Sequence, residues 1–122
     1  MAPRMSACFA AALSILIMAG PALAGEGDRI VQQPGGSYRL EATYLAPNGC
    51  YRIESVEIKP VMQSGYAPVI VEIGAHGEMC TMALKPLMAT ATLPPHHALR
   101  GALVDFRQDG RLLEQRRVTI DP

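Results

Sequence analysis

"GALVDFRQDGRLLEQRRVTI", residues 101–120, decides the fold. Ala102, Val104 and Phe106 share one parity, which gives a strand with one dry face. Asp109-Gly110 follows. Two adjacent residues that tolerate positive φ are what a tight hairpin turn demands. The chain then returns with Val118 and Ile120 facing inward. The end of the return strand is free to form an open edge, with Arg116 and Arg117 as its charged guards against aggregation.

The same period of two recurs upstream. In "SYRLEATYL" (37–45), Tyr38, Leu40, Ala42 and Tyr44 oppose Arg39, Glu41 and Thr43. In "CYRIESVEI" (50–58), Tyr51 and Ile53 have one parity, Val56 and Ile58 the other. A β-bulge near Glu54-Ser55 restores a single inward face. "VIVEIGA" (69–75) is β-branched and reads as a nearly buried strand, after a loop that includes "MQSGYAP" (62–68). "EMCTMAL" (78–84) alternates Cys80, Met82 and Leu84 against Met79, Thr81 and Ala83. A further strand spans 87–93, between Pro86 and Pro94. Turn signals separate these runs, and no segment keeps a helical period over three turns. The expected fold is all-β: a small antiparallel β-sandwich of about seven strands, immunoglobulin-like or fibronectin-type, with a small β-barrel as the alternative. The chain contains no Trp, so the buried Trp of antibody domains is missing.

Residues 1–24 read as a secretory signal peptide. Arg4 is followed by an uncharged, almost wholly apolar run, a Gly20-Pro21 break and the small-x-small site Ala22-Leu23-Ala24. The run is too short for a membrane anchor, which needs about 20 apolar residues. Removal leaves 98 residues: a polar lead-in or edge strand over 25–36 and one sandwich domain over 37–122. Loss of Arg4 takes Lys+Arg from 11 to 10 against 11 Asp+Glu, a net charge of −1. Basic blocks are missing, so nucleic acid is not an expected partner. No second apolar run resembles a membrane span. The expected location is periplasmic or secreted.

Cys8 departs with the leader, which leaves Cys50 and Cys80 as an even pair in an oxidising compartment. They are expected to form a disulfide. Closing a loop of about 30 residues contributes about 3.5 kcal/mol on the chain-entropy estimate.

"AHGEMCTMALKP" (75–86) raises a metal question. Thioethers beside an imidazole suit Cu(I). His76 with Met79 and Met82 is therefore the candidate copper set. On a strand, however, the pleat parts Met79 from Met82, and methionine commonly fills irregular gaps in a core. The leading expectation is core methionine and no cofactor.

Catalysis is not expected. Ser37, Ser55 and Ser64 lie outside any G-x-S-x-G elbow. Glu54 with Glu57, and Asp105 with Asp109, look like wet faces and a turn. Gly35-Gly36 precedes a strand, not a helix that would hold phosphate. The expected function is a non-catalytic binding or accessory module for another exported protein or peptide, through loops or an edge strand. The loop candidates are 46–49, 60–67 and 94–98. Tyr66, His96 and His97 are their candidate binding residues.

Overall fold

The computed structural model describes residues 27–120 together with the backbone of Ala22 and Leu23. The remainder of the expected signal peptide lies outside the described residues. Among them, no helix is long and apolar enough to cross a membrane.

Eight strand segments follow in chain order: β1 Ala22–Leu23, β2 Arg29–Gln32, β3 Tyr38–Ala46, β4 Tyr51–Ile58, β5 Tyr66–Ala75, β6 Lys85–Leu93, β7 Gly101–Gln108 and β8 Arg111–Thr119. They make two sheets, ordered β1-β8-β7-β5-β4 and β2-β3-β6. Neither closes into a barrel. The molecule is a small β-sandwich with seven substantial strands and a two-residue pairing, β1.

The two inner faces interlock. Leu40, Ala42, Ala46, Leu87, Ala89 and Leu93 come from the three-stranded sheet. Val69, Val71, Ile73, Ala102, Val104, Phe106 and Val118 come from the other. Phe106 is the largest fully buried side chain, and its ring packs 5.2 Å from that of Tyr44 on the facing sheet. Each such large side chain stabilises the fold by roughly 1.5–3 kcal/mol. Outward positions are polar or half-exposed, as period-two alternation requires.

The β7–β8 hairpin has the anticipated turn. Asp109 (φ 51°) and Gly110 (φ 77°) are both left-handed, and Gln108 pairs with Arg111. The bulge in β4 falls between Ile53 and Ser55, which puts Ile53 opposite Ile73 and Val56 opposite Val71.

Two pairs are not antiparallel: the short β1–β8 pairing and the longer β5–β7 pairing. β5 and β7 run parallel, from Tyr66↔Gly101 to Glu72↔Arg107. The chain leaves β5, crosses to β6 in the other sheet and returns as β7 in the original direction. The order β2-β3-β6 matches strands A, B and E of an immunoglobulin constant domain, whose strand C lies directly beside F. Here β5 is inserted between β4 and β7. Its inward residues are 0–1% exposed, whereas β4 carries Arg52, Glu54, Glu57 and a bulge. A charged, bulged strand suits the edge and an apolar one the interior.

Three further expectations are corrected. Residues 76–84 are a loop, not a strand. Gly77 takes φ 97°, and Gly49 N–H donates to Thr81 O at 3.0 Å, so the segment is held across the end of the sandwich. Its methionines are therefore not core: Met79 is 96% and Met82 87% exposed. Alanine, valine, isoleucine and leucine side chains with Phe106 fill the interior instead. Tyr66, Ala67 and Pro68 belong to β5 rather than to the preceding loop, with Ala67 buried opposite Ala102. Finally, Arg116 does not guard a solvated edge. It points inward and is 7% exposed.

Candidate functional site

The strand directions sort the loops into two groups. Residues 33–37, 59–65 and 94–100 gather at one end, and 47–50, 76–84 and 109–110 at the other.

At the first end, a tight turn leads into β5. Met62 N–H donates to Tyr66 O and Gly65 N–H to Met62 O, both at 2.9 Å. Gly65 supplies the positive φ this turn needs (92°). Its carbonyl accepts from Arg100 N–H at 2.7 Å, and Arg100 O accepts from Ile120 N–H at 2.9 Å. The turn is thereby pinned to the start of β7 and the end of β8.

A hollow of about 300 Å³ opens there on the outer face of the larger sheet, lined by Met62, Ser64, Tyr66, Leu103 and Arg117. Leu103 stands opposite Pro68 on one side and Arg117 on the other. The Tyr66 ring lies across Gly101, where no side chain obstructs it, and the Arg117 guanidinium sits 5.6 Å from the ring centroid. That is within cation–π range. Met62 is 41% exposed. The hollow thus joins an adaptable thioether, an aromatic ring and an exposed cation.

Tyr66 was legible as a candidate, but as a lone loop residue. Met62 shares its turn, but Leu103 of β7 and Arg117 of β8 converge on it from two other segments, and no local pattern announces that. His96 and His97 lie at the same end but outside the hollow. Their rings stack at 4.8 Å, and Ala98 N–H donates to His96 Nδ1 at 3.0 Å. A second, polar hollow of about 350 Å³ is lined by Gln33, Arg39, Thr90, Ala91 and Thr92 on the other sheet.

The opposite end carries the cysteines. Cys50 and Cys80 are paired as a disulfide with Cα atoms 5.2 Å apart, within the range such a bridge requires. His76 N–H donates to Cys50 O at 2.7 Å. The His76 ring lies between two charges, with Nδ1 3.4 Å from the Arg52 guanidinium and Nε2 2.6 Å from Glu54 Oε2. A guanidinium only donates, so Nδ1 accepts and Nε2–H donates to the carboxylate. Both ring nitrogens are engaged. Among the described residues, no three His, Cys, Asp or Glu side chains gather as a metal site. Met79 and Met82, in the same loop as His76, extend into solvent.

No family model matches the chain, no curated protein matches it, and no solved structure matches it.

Proposed function

We propose that this protein is an exported, disulfide-stabilised β-sandwich that acts as a non-catalytic binding module for another exported protein or peptide. The observation that supports this most is the hollow at Met62, Tyr66, Leu103 and Arg117. Tyr and Arg dominate protein-binding hot spots, and methionine adapts to varied apolar partners. The hollow sits on a regular sheet and a hydrogen-bonded turn, so little ordering cost accompanies binding. An apolar side chain next to a carboxylate matches its chemistry: the first enters beside Leu103 and Met62, the second meets Arg117. The leader-like sequence 1–24 and the cysteine pair support the periplasm or the cell exterior as the location.

A photo-crosslinking amino acid at position 62, in cells that export the protein, tests the site. Position 90, on the opposite sheet, serves as the control. The expected result is a discrete adduct from position 62 that disappears with Tyr66→Ala plus Arg117→Ala. Equal adducts from both positions, or none from position 62, would contradict it.

A second reading is periplasmic copper binding by His76, Met79 and Met82. Its support is the near-complete exposure of two thioethers in the same loop as His76. It requires His76 to leave Glu54 or Arg52. Copper affinity unchanged in the His76→Ala, Met79→Leu, Met82→Leu variant would rule it out.

A further inference from the structure

β8 has two edges. One pairs with β7, and on the other the sole paired strand among the described residues is β1, in parallel register: Ala22↔Arg116 and Leu23↔Arg117; β2 packs against β8 without pairing to it. Elsewhere that outer edge is paired to no strand among the described residues. A bulge interrupts β8 at Leu113, since Phe106 pairs with Glu114 and Arg107 with Leu112. The regular stretch of open edge is therefore 115–119, where β1 docks.

The segment that docks belongs to the expected leader, and Ala24 is the last residue before the expected cut. Cleavage there removes both residues that cap the edge. We propose that the outer edge of β8 over 115–119 is a strand-addition site for an extended segment of an exported partner, running parallel to β8, and that the leader occupies it before export. This rests on the exported reading above.

The chemistry of the seat defines the partner segment. Arg117 is exposed, stacks on Tyr66 and pairs with no carboxylate among the described residues. A cross-strand acid opposite Arg117 would complete an ion pair. The flanking residues need to be small and uncharged, as in "GPALAG" (20–25). Backbone hydrogen bonds hold such a strand, and the acid sets its register. A second copy of the chain fits less well. Two β8 strands related by a twofold axis run antiparallel and bring their arginine-bearing edges together, whereas the observed seat takes a parallel strand.

The test uses the exported protein as purified, with its N-terminal residue read by intact mass. Two peptides serve as probes: residues 20–26 of this chain, and the same peptide with Leu23→Asp. Amide exchange is followed residue by residue. With a chain beginning at Gly25, saturating peptide is expected to slow exchange of outward-facing amides within 115–119 about tenfold, leaving β7 unchanged. The acidic peptide is expected to bind about threefold tighter, an advantage that Arg117→Gln abolishes. A nitroxide at the peptide C-terminus is expected to broaden Thr119 more than Glu114, as parallel addition requires. If the chain begins at Gly25 and neither peptide protects β8, the strand-addition site is wrong and export stands. Broadening centred on Glu114 overturns the parallel geometry. An exported protein that keeps Ala22 and Leu23 has a permanently capped edge, which overturns both cleavage and this inference. Concentration-dependent protection of 115–119 without peptide assigns the edge to self-association and overturns the partner strand.

Discussion

The Arg116 guanidinium lies 2.9 Å from the Asp28 carboxylate, with the two side chains 9% and 0% exposed. Arg116 also donates to the Thr43 carbonyl and lies over the Phe106 ring at 4.9 Å. The other Asp28 oxygen accepts from Thr43 N–H at 3.0 Å. One ion pair therefore clips the segment before β2 to both sheets. Removing one partner leaves the other charge buried, which costs about 3–5 kcal/mol. Asp28→Ala and Arg116→Ala are each expected to lose that much in urea denaturation. The double variant Asp28→Leu, Arg116→Met should recover a large part of it, because no orphan charge remains. Single losses below about 1 kcal/mol would show that the pair is solvated.

Gly101 is buried beneath the Tyr66 ring. A methyl group there would meet the Val118 carbonyl oxygen, lie 2.8 Å from Tyr66 Cε1 and 3.0 Å from the Thr119 Cα. Backbone on one side cannot give way as a flexible side chain can. Gly101→Ala is expected to destabilise the fold by about 1–3 kcal/mol, as overpacking does. It should also displace Tyr66 from Arg117, visible as altered ring chemical shifts of Tyr66. A fully stable variant with unchanged shifts would refute this packing.

The Cys50–Cys80 bridge closes a separation of 30 residues. Cys50→Ser plus Cys80→Ser is expected to lower stability by about 3.5 kcal/mol, mainly through a freer unfolded chain. The loss should appear in the denaturation midpoint and in faster amide exchange over 76–84. Equal stability of the bridged and serine forms would count against a stabilising role.

Burial raises the Tyr44 phenol above its ordinary value, and Glu114 and Tyr51 add to the shift. The unfolded phenol ionises near pH 10 while the folded one stays protonated. Folding stability is therefore complete below about pH 10 and falls as pH rises past it. Denaturation across that range should show the decline, and Tyr44→Phe should flatten it. A decline of equal slope in the phenylalanine variant would place its origin elsewhere.

Much of the fold was legible because it is local. Ala102, Val104 and Phe106 alternate cleanly, Asp109-Gly110 names its own turn, and the parity break at Glu54-Ser55 locates a real bulge. The failures have physical causes too. "EMCTMAL" alternates like a strand, but a crosslink at Cys80 and a left-handed Gly77 hold it off both sheets. Arg116 has inward parity, yet a charge reads as wet unless its partner is known, and Asp28 lies 88 residues earlier in the chain. The parallel β5–β7 pair depends on which hairpin strand turns inward, which is a long-range choice. The hollow at Tyr66 failed for the same reason, since Leu103 and Arg117 join Met62, Ser64 and Tyr66 from distant segments.

Native mass spectrometry of the protein released from the exporting compartment, without chelator, tests the binding-module account most directly. The account predicts a chain beginning at Gly25 and lacking two hydrogens at Cys50 and Cys80. It also predicts the added mass of a partner that Tyr66→Ala with Arg117→Ala removes. A retained leader, free thiols, or a partner that survives both substitutions would contradict it.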